Sequence, residues 1–237
     1  MIELIDCHSH ILPGIDDGSA SVEESVALLR KTAEQGIRHV IATPHFYAQY
    51  ETPEAFLEKR SQSESVLRKA MQEAEGLPRL SVGAEVYFFR GMSDSEILPR
   101  LTIDGKHCIL IEMPPAPWTP SMYRELEDIW HKRGLTPIIA HIDRYIRPFR
   151  TYQIPEHLAR MPVLVQANAS FFLNGRTRRL ALRLLRSDKI HLLGSDCHNL
   201  TNRPPRLGEA AHMIEKHLGQ HAILQLKSWQ NDLLLDG

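Results

Sequence analysis

Two histidines separated by one residue, His8 and His10, stand near the start of a chain of 237 residues. On a strand, side chains two positions apart point the same way, so both imidazoles can reach one cation. Among 13 histidines such a pair is weak on its own, and an exposed or hydrogen-bonded pair is the ordinary alternative. The weight comes from recurrence. Short apolar runs end repeatedly in a ligand-type residue. His45 closes Thr43-Pro44-His45, Glu85 closes Leu80–Glu85, and Glu112 follows Ile109-Leu110-Ile111. His141 follows Ile138-Ile139-Ala140, and Asp196 and His198 follow Leu192-Leu193-Gly194. The run Val163–Asn168 ends in a polar residue to which no ligand role is given. An unpaired carboxylate at the end of a buried strand is costly to desolvate. A nearby cation reverses that penalty and keeps the acid ionised. One such ending could be a salt-bridged acid, but the repetition points to a multi-metal cluster.

Mixed imidazole and carboxylate ligation suits Mn, Fe or Zn and needs no cysteine. Strand adjacency suggests an apportionment. His8, His10, Glu85 and Asp196 would hold one ion, and Glu85, Glu112 and His141 a second, with Glu85 bridging. Asp17, His45 and His198 would hold a third. Arg144 and Arg203 follow His141 and His198 closely and fall on loops at the same end. A guanidinium fork matches phosphate oxygens, and a solvated surface arginine is the bland alternative for each.

These residues must be carried by elements that gather them. Leu4–His8, Val40–Ala42, Leu80–Glu85, Cys108–Met113, Pro137–His141, Val163–Asn168 and Ile190–Ser195 read as strands. Helical spacing runs through Val22–Gln35, Pro53 to about Glu75, Ser121–Arg133, Gly175–Ser187 and Pro205–Leu218. Ser21 with Glu24 forms a capping-box pattern, Gly36 and Gly134 sit at helix ends, and Pro53 suits a first turn. Strands alternating with helices imply parallel β/α units. The expected fold is α/β, a distorted seven-stranded TIM-like β/α barrel in one domain, residues 1–237. A doubly wound open sheet is the competitor. A barrel brings the C-terminal strand ends to one mouth.

Composition sets the outer bounds. The chain is 43% hydrophobic and 24% charged with net charge -1, so a packed core is expected and no nucleic-acid-binding field is implied. Met1–Asp6 lacks the features of a secretory signal, and no apolar run approaches the roughly 20 residues that span a membrane. Cys7, Cys108 and Cys197 are odd in number and far apart, so free thiols in a reducing cytoplasm are expected. The basic run Arg176-Thr177-Arg178-Arg179 with Arg183 and Arg186 could attract an acidic tail or anionic lipid, or be a solvated helix face. Phe46-Tyr47, Phe88-Phe89 and Trp118 could frame an aromatic ligand or pack loops. His39, His107, His131, His157, His191, His212, His217 and His221 read as structural or solvated.

The segments His8 to Gly18, Ala42-Thr43-Pro44-His45, Gly83-Ala84-Glu85, Ala140 to Tyr145 and Ser195-Asp196-Cys197-His198 together resemble the polymerase-and-histidinol-phosphatase (PHP) superfamily. The chain is most similar to its bacterial metal-dependent protein tyrosine phosphatases, encoded in capsule and exopolysaccharide loci. The stretch from His10 to Gly18 is the most specific part. The resemblance implies the PHP fold and a trinuclear centre, commonly Mn2+, with Fe, Zn, Co or Mg as alternatives. It implies hydrolysis of phosphotyrosine in the tyrosine-rich tail of a phosphorylated bacterial tyrosine autokinase. Composition and the lack of a long apolar run, for their part, lead to no expectation of a nucleic-acid partner or of membrane insertion, and they leave oligomerisation open. The ligand positions named above match that family. Asp143 stands where a glutamate is common.

The chemistry expected is attack by a metal-activated hydroxide near Glu85, without a covalent phosphoenzyme. Arg144 and Arg203 would cradle the phosphate, and Asp143 or a water would protonate the leaving oxygen. Cys197 and Arg203 have the Cys-x5-Arg spacing of cysteine phosphatases. The intervening residues hold no glycine and Pro204-Pro205 follow, so backbone N–H groups cannot converge on phosphate there. Two other readings remain: a PHP phosphoesterase acting on histidinol phosphate or a nucleotide, and a non-catalytic metal-binding regulatory barrel.

Overall fold

A computed structural model of the chain describes residues 4–146 and 153–234. Of the expected 1–237 domain, residues 1–3, 147–152 and 235–237 lie outside the described residues. The apolar runs form short strands: β1 (Ile5–Ser9), β2 (His39–Ala42), β3 (His45–Phe46), β4 (Arg79–Val82), β5 (Glu85–Tyr87), β6 (Cys108–Glu112), β7 (Thr136–Ile139), β8 (Leu164–Asn168) and β9 (Leu192–Gly194). The helices are α1 (Val22–Glu34), α2 (Pro53–Gln72), α3 (Pro120–Arg133), α4 (Asp143–Ile146), α5 (Ile154–Leu158), α6 (Ala169–Leu173), α7 (Arg178–Arg186), α8 (Leu207–Leu218) and α9 (Gln220–Leu234).

Every strand pairing among the described residues is parallel. The strands fall into a three-stranded sheet, β1-β2-β4, and a six-stranded sheet, β3-β5-β6-β7-β8-β9. This corrects the expected strand count. The expected run Leu80–Glu85 is interrupted at Gly83-Ala84 between β4 and β5, and past the expected strand Val40–Ala42 an additional short strand, β3, follows Thr43-Pro44. Pro44 has no N–H to give to a ladder, which ends regular pairing there. Backbone bonds cross both gaps nonetheless: Gly83 N donates to Ala42 O at 2.8 Å and Glu85 N to Pro44 O at 2.9 Å. The outer strands of the two sheets also meet. Asp196 N donates to His8 O at 2.8 Å and His10 N to Cys197 O at 2.9 Å.

The helix signals hold with small shifts. Ser21 Oγ accepts from Glu24 N at 3.2 Å, while the Glu24 carboxylate reaches back to Ala20 N at 3.0 Å rather than to Ser21. Pro120 begins α3, and Gly134 ends it in the left-handed region at φ 65°. Beyond the last expected helix, the chain forms a further helix, α9.

The core has two parts. The larger holds Leu28 and Leu29 of α1, Ile111 of β6 and Phe172 of α6, so it joins strands to the helices over them. The smaller gathers Ile5 and Cys7 of β1, Ile41 of β2, Leu110 of β6, Ile138 of β7 and Leu192 of β9. Strands that are not hydrogen-bonded neighbours share this second cluster, so the parallel sheet is curled. One close approach depends on a missing side chain. A Cβ on Gly194 would lie 2.5 Å from His8 Cβ and 3.0 Å from His8 N, so β9 can lie against β1 only with glycine there.

Candidate metal centre

The curled sheet brings the predicted ligands together. His8 Nε2 lies 3.1 Å from Glu85 Oε2 and 3.6 Å from Asp196 Oδ1. His10 Nε2 lies 3.3 Å and 3.5 Å from the same two oxygens. His141 Nε2 is 2.7 Å from Glu85 Oε1 and 3.4 Å from Glu112 Oε1. His45 Nδ1 is 3.1 Å from Glu85 Oε2 and 4.0 Å from Glu112 Oε2. Asp17 Oδ1 is 3.5 Å from His45 Nε2 and 3.4 Å from His198 Nε2. His8, His10, Glu85, His141, Asp196 and His198 are buried, whereas Asp17 is mostly exposed.

The donor set fits cations. His10 Nδ1 pairs with Asp16 Oδ2 at 2.8 Å, and His8 Nδ1 with Gln166 Oε1 at 3.3 Å. With each Nδ1–H donated to an oxygen, both Nε2 atoms present lone pairs to the centre. Those two atoms face each other at 3.1 Å. His45 Nδ1, His198 Nε2 and Asp196 Oδ1, all facing the cluster, are buried without a hydrogen bond. Convergent lone pairs without donors are satisfied by metal ions and by little else.

The ligand atoms nearest one another group differently from the expected apportionment. Ligand atoms of His10, Asp17, His45 and His198 lie within 4.8 Å of one another, as do those of His8, His10 and Glu85, and of His45, Glu85 and Glu112. His10, His45 and Glu85 thus each belong to two sets, where the sequence made only Glu85 shared. The reason is local. His10 lies past the end of β1, and its ring stacks toward His198 and His45 at centroid distances of 4.0 and 4.4 Å.

Electrostatics follow from burial and proximity. Burial alone would raise Glu85 and Asp196, but the surrounding histidines outweigh it and hold both carboxyls well below their usual range. Burial alone would lower His10 and His141; carboxylate partners outweigh it, raising His10 strongly and His141 to about 9. His198 goes the other way, to about 4, through burial and the charges of His10 and Arg203. The buried carboxylates therefore stay ionised and attract positive charge, be it protons or metal.

Two site residues follow strand ends in the left-handed backbone region: His141 at φ 31° and Asp196 at φ 53°. Such residues cost on the order of 1–3 kcal/mol each and persist where surroundings over-determine them. His141 N is held by Gln166 Oε1 at 2.6 Å, and Asp196 N by His8 O.

Both predicted arginines reach the centre. Arg144 Nη2 is 2.7 Å from Asp196 Oδ2 and its Nη1 is 3.3 Å from Glu112 Oε1. Arg203 Nη2 is 2.7 Å from Asp196 Oδ1, an ion pair off the hydrogen-bond direction. Asp143 stands apart, accepting from Asn168 N at 3.2 Å, and burial raises its carboxyl. Cys197 is buried in the apolar core, and burial pushes its thiol up, the opposite of what a thiolate nucleophile needs.

The aromatic candidates divide. Phe46 packs on Phe56 in the core, and Phe88 and Phe89 lean on it. Trp118 stacks on Tyr145, which itself stacks on His141, so it is one ring removed from the centre. Tyr47 is beside His45 at 5.3 Å and touches Tyr50 and Tyr87. His191 accepts from Val165 N and packs on Trp229, in keeping with a structural role.

Sequence reasoning gave no role to Asp16, Gln166 or Asn168. Asp16 orients His10 and also accepts from His45 N at 3.1 Å. Gln166 holds His8 and His141, and its Nε2 donates to Asn168 Oδ1, while Asn168 Nδ2 donates to Asp196 Oδ2 at 2.8 Å. The signal was present in the two polar residues of β8, a strand otherwise apolar.

An α/β protein whose parallel strands aim histidines and acidic residues at one buried point is of the class that can bind metal ions there. The sequence pattern of the family "Capsular polysaccharide synthesis, CpsB/CapC" matches residues 4–235. The chain belongs to that family. It is 30% identical over 233 residues to the tyrosine-protein phosphatase CpsB of Streptococcus agalactiae, covering 94% of each. It is 31% identical over 224 residues to the tyrosine-protein phosphatase YwqE of Bacillus subtilis, covering 91% of this chain and 85% of that protein. A solved structure from a study of YwqE of B. subtilis and CpsB of Streptococcus pneumoniae, described as unique metal-dependent tyrosine phosphatases, superposes with a TM-score of 0.84. Identity there is 26%, over 99% of this chain and 96% of that one.

Proposed function

We propose that this chain is a metal-dependent protein tyrosine phosphatase acting in capsule or exopolysaccharide synthesis. The observation that carries the reading is the pair of arginines set against Asp196 at the edge of a buried imidazole–carboxylate cluster. The cluster has the donors for three divalent ions, Mn2+ first among them. Its ligands are His8, His10, Asp17, His45, Glu85, Glu112, His141, Asp196 and His198. Divalent cations bound there would neutralise the phosphoryl dianion and acidify an attacking water.

The chain's own groups supply the rest. Arg144 and Arg203 lie on two sides of Asp196, where their forks can turn to grip two non-bridging phosphoryl oxygens and hold the ester in line. Asp16 and Gln166 fix the rings of His10 and His8. Asp143, whose carboxyl burial raises, is this chain's candidate for protonating the departing tyrosyl oxygen. The backbone bonds that cross the strand gaps and join β1 to the segment after β9 support a distorted seven-stranded barrel of the PHP type, with residues 1–237 as one domain.

The substrate proposed is the phosphorylated tail of a bacterial tyrosine autokinase, met in the cytoplasm. The three cysteines are free and buried, which fits a reducing compartment. Among the described residues no helix is long and apolar enough to cross a membrane. The test compares a phosphotyrosine peptide with histidinol phosphate, with and without added Mn2+. Mn2+-dependent hydrolysis of the peptide in preference to histidinol phosphate is expected. Preference for histidinol phosphate would move the chain to small phosphomonoesters, and inactivity on both would leave a regulatory barrel.

A further inference from the structure

The basic run noticed in the sequence has a shape. Arg179, Arg183 and Arg186 recur at intervals of four and three, which places them on one face of α7, and Arg176 stands in the turn just before it. All four are exposed, and they line a groove of about 580 Å³ between α7 and the end of α8, where His217 and Leu218 form the other wall. No acidic residue lines the groove, and none occurs between Ala169 and Ser187. Arg183 also feels the charge of Glu156, which lies outside the groove. Like charges three and four residues apart repel, and Arg179 in the first turn opposes the helix dipole, whereas Arg183 and Arg186 in the last turn are favoured by it. A bound polyanion would offset the mutual repulsion of the stripe.

Its position ties it to the centre. β8 ends at Asn168, which donates to Asp196, and α6 and α7 then return the chain to the start of β9 at the opposite end of the sheet. By this topology α7 follows the strand end that carries Asn168 and runs along the flank toward the opposite end of the sheet. An extended chain held at the centre by one residue, at roughly 3.3 Å per residue, would lay its neighbours along that flank. Other polyanions fit less well. The leucines of the groove are only partly exposed, so no apolar anchor projects toward a bilayer, and no Phe, Tyr or Trp is there to stack on bases.

We propose that this groove is a docking site for the acidic or phosphorylated polypeptide segment that flanks the phosphotyrosine being hydrolysed. The inference rests on the phosphatase reading above and deepens it.

The test uses the full chain loaded with Mn2+. One phosphotyrosine peptide carries flanking glutamates and its counterpart carries glutamines; p-nitrophenyl phosphate reports the centre alone. The unmodified protein should favour the acidic peptide in kcat/KM by about tenfold or more, with the preference shrinking as salt rises. The triple variant Arg179→Gln/Arg183→Gln/Arg186→Gln should lose that preference and keep its rate on p-nitrophenyl phosphate. The corresponding triple lysine variant, which keeps the charge, should retain most of it. No preference in the unmodified protein, or the same preference in the glutamine variant, overturns the proposal. So does loss of binding to phosphatidylserine-containing vesicles in the variant with peptide kinetics unchanged. If no phosphate ester is hydrolysed by any form, the phosphatase reading fails by itself. Fluorescence anisotropy of the labelled acidic phosphopeptide then decides the groove, and equal affinity for both forms rejects it.

Discussion

The carboxylate of Asp16 holds the imidazole of His10, Oδ2 to Nδ1, at 2.8 Å. The same oxygen accepts the backbone N–H of His45, so one carboxylate positions two neighbouring donors of the centre. Histidine partners both hold Asp16 ionised, near a pKa of about 2, against the opposing effect of burial, and fix the tautomer that turns Nε2 inward. Asp16→Asn should therefore weaken metal binding by about 10–100-fold while leaving the fold intact. Calorimetric titration with Mn2+ and far-UV circular dichroism check the two halves; unchanged affinity would rule out the positioning role.

Glu85 touches more of the centre than any single predicted partner. Its oxygens lie within 3.3 Å of His8, His10, His45 and His141. Glu112, at the edge, is 3.4 Å and 4.0 Å from His141 and His45. Glu85→Gln should then lose more bound metal than Glu112→Gln, and lose hydrolysis altogether. Metal content per chain, measured on both variants after equal dialysis, is the readout, and equal losses would deny Glu85 its bridging place.

Cys197 carries a buried thiol raised by its surroundings, beside residues that serve the centre. Cys197→Ser should retain most activity, whereas chelation should remove it and Mn2+ restore it. Inactivity of the serine variant at full metal occupancy, or activity that survives chelation, would reinstate a thiol mechanism.

The acid limb of stability should carry a contribution from His191. Burial lowers its pKa from 6.5 to about 4, and its Nδ1 accepts from Val165 N at 2.9 Å, so the folded state holds it neutral. Between those values the unfolded chain binds the extra proton. The stabilisation is full above pH 6.5 and is lost as pH falls through about 4, amounting to about 3 kcal/mol. His191→Asn, which keeps an acceptor but does not titrate, should flatten the denaturation profile over that window. A parallel profile for both forms would show that His191 does not titrate in this way.

How much of this was legible beforehand differs by residue. His8, His45, Glu85, Glu112, His141, Asp196 and His198 stand at or just after strand ends, and a polar residue closing an apolar run is a pattern that sequence displays directly. The parallel β/α alternation was readable for the same reason, since hydrophobic period depends on local order alone. The extra strand β3 after Thr43-Pro44 and the break at Gly83-Ala84 were not anticipated, because a strand's extent depends on what its neighbours can hydrogen-bond.

Residue types, their order along the chain and the ends of the strands were thus determined by the sequence itself. Which histidine serves which cation set was decided only by the curl of the sheet. It brings β9 against β1 at Gly194, leans His10 over toward His198, and aims Gln166 at the His8 ring and the His141 backbone N–H, both distant from it in sequence. The α7 arginines became a groove only when the end of α8 supplied its second wall. Contacts of that kind depend on packing between segments far apart in the chain, and no local pattern of residues encodes them.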